Sequence, residues 1–211
     1  MRPLFLLLFG AVSAWAQPFS YGVRAGVPLN DLLDAAKSQQ FAFNSTTNRY
    51  IVGPTAELHL PFGLGVEFDI LYRRFDYQGS GTLAGIVTSS SATGNAWEFP
   101  LLAKYRLPTK MVHPYVDAGV AWDTLSGLTQ AITSTVQPSH TTTTTTSTPA
   151  ELNTTATRGF VMGAGLSVKV LVIHVSPEVR FTRWGAQHFV DPGGLLHSNL
   201  SQGEFLLGIT F

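Results

Sequence analysis

Seven basic and eight acidic side chains of this 211-residue chain fall at alternate positions of short segments, each flanked by bulky apolar residues. The bases are Arg24, Arg49, Arg73, Lys104, Arg106, Lys169 and Arg180; the acids are Glu57, Glu67, Asp69, Glu98, Asp117, Asp123, Glu178 and Glu204. On a strand, alternate residues share one face, so all fifteen belong to one surface of a sheet. Near-equal numbers of opposite charge favour mutual pairing, and a chain of unpaired charges would instead offer a path for protons or ions. A second chemistry is carried by His174, Ser176 and Glu178, the residue types of a hydrolytic triad on that same face. His59 and His174 lack a nearby Cys or a third His, which suits hydrogen-bonded histidines better than a metal site. No catalytic residue, cofactor or metal is expected.

Eight period-2 segments must position these groups. They run over 19–27, 48–60, 64–73, 95–107, 114–123, 159–169, 172–184 and 200–211. The third is the clearest, with Leu64, Val66, Phe68, Ile70 and Tyr72 opposing Gly65, Glu67, Asp69 and Arg73. Pro54, Pro100 and Pro177 fall inside segments, where each removes a ladder donor, so bulges or bends are expected there.

Arg2, the apolar run 4–12 and Ala14-Trp15-Ala16 have the pattern of a cleaved secretory signal peptide, which leaves 17–211 as one domain. No stretch is long enough for a transmembrane helix. With no cysteine there is no disulfide framework, and equal numbers of basic and acidic residues, 13 each, leave no net field to attract nucleic acid. Only 12% of residues are charged, low for a soluble surface and suited to strands that face lipid.

The connections after strands 2, 4 and 6 are tight and the others long, the asymmetry of periplasmic turns and extracellular loops. Alternation alone fits a soluble sandwich or an inward-apolar soluble barrel equally well. Aromatic residues break the tie: Trp97, Trp122 and Trp184 fall at the long-loop end, and Phe19, Tyr21, Tyr105 and Phe211 at the other, as two interfacial girdles. The terminal segment LSQGEFLLGITF puts Phe205, Leu207, Ile209 and Phe211 on one face.

A C-terminal strand ending in Phe resembles the closing strand of bacterial outer-membrane β-barrels, by which assembly machinery recognises them. WEFPLLAKYRL (97–107), HPYVDAGVAW (113–122), SPEVRFTRW (176–184) and EFLLGITF resemble the porin-family outer-membrane β-barrel domain, related in design to OmpA- and OmpX-type barrels. His174, Ser176 and Glu178 are similar to the triad of outer-membrane lipid A deacylases, but face the lumen rather than lipid. The resemblance implies an all-β, eight-stranded antiparallel up-and-down barrel in the outer membrane of a Gram-negative bacterium. It also implies outer-membrane lipid and lipopolysaccharide as surroundings, with barrel assembly machinery and periplasmic chaperones as partners of a monomer.

The expected role is structural or surface-interacting, with a narrow pore or an envelope lipid-modifying enzyme as alternatives. The loop 124–157, rich in threonine, is expected to be a mobile polar tract, and 29–36 to form one or two helical turns. His113, His140, His188 and His197 are expected in solvated turns or loops.

Overall fold

The computed structural model describes residues 18–35, 41–47, 50–83, 86–109, 111–136, 141–149, 151–190 and 196–211. The signal segment 1–16, Arg49 and His140 lie outside the described residues. The described residues form thirteen strands: β1 (Phe19–Pro28), β2 (Leu33–Ala35), β3 (Phe41–Thr47), β4 (Ile51–His59), β5 (Leu64–Asp69), β6 (Leu71–Leu83), β7 (Ile86–Arg106), β8 (Val112–Val136), β9 (Thr141–Ser147), β10 (Ala156–Val170), β11 (Ile173–Trp184), β12 (Leu196–Ser198) and β13 (Ser201–Thr210).

Eight antiparallel staves, with β5 and β6 together making the third, close on themselves where β1 pairs with β13 from Gly22↔Thr210 to Pro28↔Glu204. Among the described residues no stave of the ring is left without a neighbour on either side, as hydrocarbon surroundings demand. The pattern is inside-out: Val116 is 54% exposed on the outer face, whereas Arg180 on the inner face is wholly buried. The apolar side chains of the staves cannot be a core and must meet lipid.

The aromatic ends sort as two belts. Phe19 stacks near Tyr21 and Tyr21 near Phe211, each pair 6.4 Å between ring centroids, where the Phe211 N–H donates to the Tyr21 carbonyl (2.9 Å). At the other end Tyr72 lies 4.9 Å from Trp97 and 6.5 Å from Tyr50, with Trp122 outward on β8. Trp184 departs from the expected belt: continuing the parity of Arg180 and Thr182, it turns into the barrel and is buried, its indole N–H without a hydrogen-bond partner.

The prolines do not cause bulges. The register is the same on both sides of Pro54 (Thr55↔Asp69 and Val52↔Tyr72) and of Pro100 (Leu101↔Phe68 and Glu98↔Leu71), and the ladder is interrupted opposite both, at the gap between β5 and β6, where the Ile70 N–H still donates to the Pro54 carbonyl (3.0 Å). A Cβ on Gly53 would sit 1.7 Å from the Ile70 carbonyl oxygen, so only glycine permits the strands to cross that gap so closely. Among the described pairings of β7 with β8, the register shifts between Thr93 and Asn95, far from any proline.

The extracellular connections are more ordered than their composition suggests. Strands β6, β7 and β8 rise beyond the girdle and, with β3 and β9, form a five-stranded sheet in the order β3-β6-β7-β8-β9. The tract expected to be mobile is largely the extension of β8 and the strand β9. Thr133 and Thr144, and Thr135 and Thr142, face each other with hydroxyl oxygens 3.2 Å apart. β-branched Thr prefers an extended backbone, and a run free of charge, Gly and Pro has nothing to oppose pairing. The helical turns expected at 29–36 are replaced by β2, which pairs with β12.

Because the ladder is a closed ring, folded protein should resist detergent. Refolded in micelles, unboiled and boiled samples should migrate differently on SDS gels; equal mobility together with solubility in plain buffer would refute the closed membrane barrel.

Candidate functional site: a closed lumen

The inner face is filled from the periplasmic mouth upward in four layers. Lowest, Arg106 donates to Glu57, whose carboxylate also lies 3.6 Å from Lys104 and 3.7 Å from His59. Above it, Arg24 from β1 and Arg180 from β11 share three acids. Arg180 Nε, Nη1 and Nη2 donate to Glu178 (2.7 Å), Asp69 (2.8 Å) and Glu67 (3.1 Å). Arg24 reaches Glu67 at 2.7 Å and also contacts Glu178 and, more loosely, Asp69 (3.7 Å). Lys104 closes the group by donating to Glu67 and lying 4.2 Å from the Tyr115 ring centroid, and the Tyr115 hydroxyl donates to Glu178 (2.9 Å).

Two cations surrounded by three anions satisfy the rule that buried charge survives only when paired and hydrogen-bonded. Gly163 makes the space: a Cβ there would sit 2.5 Å from Asp117 Oδ1 and 3.0 Å from Glu178 Oε1.

In the third layer Arg73 donates to Gln202 (2.7 Å) and Glu204 (3.4 Å), with Asp123 at 3.9 Å. His188 Nε2 lies 3.2 Å from Asp123, and its Nδ1 2.8 Å from the Thr154 carbonyl. His188 is thus buried, not solvated, because the last long connection folds back into the mouth.

The fourth layer is apolar. Phe189 packs edge-on against Phe75 (5.8 Å) and Tyr77 (5.6 Å), with Leu32, Leu33, Ala92, Ala96 and Leu125 around them. The Tyr77 hydroxyl donates to Glu151 (3.2 Å), and burial beside that carboxylate pushes the phenol well above its ordinary range. This cap sits where an open channel would have its extracellular entrance.

A family model for the outer membrane protein beta-barrel domain matches residues 15–185. The chain belongs to this family. Among solved structures, OprG of Pseudomonas aeruginosa is similar at a TM-score of 0.51 and 13% identity, covering 91% of this chain and 92% of that one. Neisserial surface protein A gives 0.44 at 12% identity, covering 92% and 96%. Ail of Yersinia pestis gives 0.39 at 8% identity, covering 91% and 98%. At such identities the likeness speaks of fold alone. No curated protein matches the chain. The family makes this an integral outer-membrane barrel, so lipid surrounds the apolar face and the four layers occupy its lumen.

For a barrel of this family the partners inside matter as much as the parity. Glu67, Asp69 and Glu178 pair with Arg24 and Arg180, while Arg73 serves Glu204 and Asp123, and Arg106 serves Glu57. Lys169 is exposed at the periplasmic rim and stands outside the packed layers. Both oxygens of Asp117 and one of Glu98 are buried without a hydrogen-bond partner. The lumen is therefore more acidic than the near-equal numbers imply, with eight buried acids against Arg24, Arg73, Lys104, Arg180 and the partly exposed Arg106.

His174 and Ser176 share the inner face, yet among the described residues no hydrogen bond joins them, and Glu178 is engaged by the two arginines and Tyr115. Among the described residues no group of three or more His, Asp or Glu is disposed to hold a metal. His59 and His174 instead line a periplasmic vestibule of about 200 Å³ with Arg106 and His113. Sequence reasoning missed the cap: Phe189 stands alone in a long connection, with no periodicity to mark it as buried.

Removing one partner of the central group should be costly. Glu178→Ala strands Arg180 and Arg24 with one carboxylate fewer and should cost about 3–5 kcal/mol. Asp117→Asn and Glu98→Gln, which remove buried carboxylate groups that no hydrogen bond fully satisfies, should be neutral or stabilising. Urea unfolding in detergent micelles checks both; equal losses at all three positions would contradict the pairing pattern.

Proposed function

We propose that this protein is a closed outer-membrane barrel with a structural or surface-interaction role, neither a pore nor an enzyme. The observation that carries the reading is the filling of the lumen above the periplasmic vestibule: the Arg24–Arg180 group of ion pairs lies beneath the Phe189 cap. An ion crossing it would have to break several buried pairs and part an apolar plug, each costly away from water. The signal segment 1–16 would deliver the chain across the inner membrane, and 17–211 would make up the mature barrel.

Phe205, Leu207, Ile209 and Phe211 form the outward face of the closing strand and are the proposed signal to assembly machinery and periplasmic chaperones. The barrel acts as a monomer, a reading supported by the β1–β13 seam closing within one chain. The surface role falls to the five-stranded extracellular sheet. Between Asp76 and Glu98, and between Asp123 and Glu151, no Asp, Glu, Lys or Arg interrupts the chain, so this sheet presents hydroxyl and amide groups without a net field.

Two outcomes test the proposal. In a planar bilayer the refolded wild-type protein should show no steady conductance; a steady, large conductance would establish a water-filled lumen and a pore. Deleting Phe211 should lower the amount of barrel assembled in cells more than it lowers stability of the refolded protein. Normal assembly of the truncated chain would remove the role given to the closing strand.

A further inference from the structure

Strict alternation places two further arginines on the outer, lipid-facing side at the level of the upper girdle. Registers of β8, β10 and β11 define the local surface row by row. In the upper row Trp122 stands opposite Arg158, and in the next Val120, Phe160 and Arg183 stand side by side. Below come Ala118, Met162 and Phe181, then Val116, Ala164 and Val179, an unbroken apolar wall. Gly185, which continues the outward parity of Arg183, carries no side chain there; a Cβ on it would sit 3.1 Å from the Arg158 carbonyl oxygen, and the hollow between the arginines has a volume of about 460 Å³.

Both arginines are exposed, and among the described residues neither takes part in an ion pair; Arg183 donates only to the Ser201 hydroxyl (2.5 Å). This differs sharply from the lumen, where every buried arginine has carboxylate partners. A guanidinium held at the boundary of a hydrocarbon layer gains most from an anion it can grip through two parallel N–H groups. The anion must also be tethered to something apolar, because the hollow opens downward onto the wall of Met162 and Phe181.

We propose that this hollow binds the phosphate-bearing headgroup of an acylated lipid of the outer leaflet, with Arg158 and Arg183 on the phosphate and the acyl chains along the wall below. Trp122 and Phe160 flank the headgroup and fix its depth, as aromatic residues do at membrane boundaries. The inference rests on the outer-membrane location and not on the closed lumen, so it stands or falls independently of the conductance experiment.

The test uses the full mature chain refolded in uncharged detergent, with folding verified by the gel shift, and native mass spectrometry to count bound lipid. The probes are lipid A, a bis-phosphorylated acylated disaccharide, its phosphate-free counterpart, and inorganic phosphate. Wild-type protein should retain one molecule of lipid A, bind the phosphate-free lipid at least about tenfold more weakly, and not lose lipid A to millimolar phosphate. R158Q/R183Q should weaken retention of lipid A by about tenfold or more, whereas K169Q at the opposite rim should leave it unchanged. Equal retention of the two lipids by the wild type would overturn the proposal whatever the variant does. Displacement by inorganic phosphate would overturn the lipid tether, and unchanged retention by a folded R158Q/R183Q would overturn the site.

Discussion

The charge group at the centre of the lumen sets the terms for everything around it. Arg24 and Arg180 are fully dehydrated, and a lone guanidinium in such surroundings would be untenable. Their three carboxylates come from β5 and β11, Arg24 itself from β1, and the supporting Lys104 and Tyr115 from β7 and β8. Five staves must therefore hold one relative height. A barrel this narrow has room for the group only because Gly163, opposite Asp117 and Arg180, leaves the space that the Asp117 and Glu178 carboxylates occupy. Lipid outside requires closure, closure makes the interior small, and a small interior must be packed with side chains whose charges cancel locally.

Above the girdle the constraint changes. Water is available there, so strands need not close, and β3 and β9 bound an open sheet. What ties that sheet to the barrel is apolar packing at the mouth, where the connection carrying His188 and Phe189 folds back over the lumen and inserts between Phe75, Tyr77 and Leu125. One segment thus contributes to both regimes: His188 to the polar layer through Asp123, and Phe189 to the cap immediately above.

How much of this was legible in the sequence follows from what alternation encodes. Parity assigns a face, and it placed Arg24, Glu67, Asp69, Glu178 and Arg180 on the inner one. It does not assign height, which depends on the stagger between neighbouring strands. Arg73 and Arg106 are therefore as suitable on paper as Arg24 for Glu67, although they sit in layers above and below. Trp184 shows the opposite fault: a belt argument based on position along the chain overrode the parity that points it inward. The outward Arg158 and Arg183 continue the parity of Phe160 and Phe181 by one step, so they were visible to alternation carried to the strand ends. The threonine run was misjudged because low complexity was read as disorder, when uncharged β-branched residues beside an existing strand favour pairing.

The β1–β13 seam joins strands from opposite ends of the chain, and both bring charges to the lumen: Arg24 opposite Gly208, and Glu204 opposite Pro28. Shifting that seam by one residue would turn one of the two strands over, sending either Arg24 or Glu204 toward lipid. The central ion pairs are therefore complete only in the register in which the ring is closed. Without Arg24 from the first strand, the three acids it shares would be left with Arg180 and Lys104 alone.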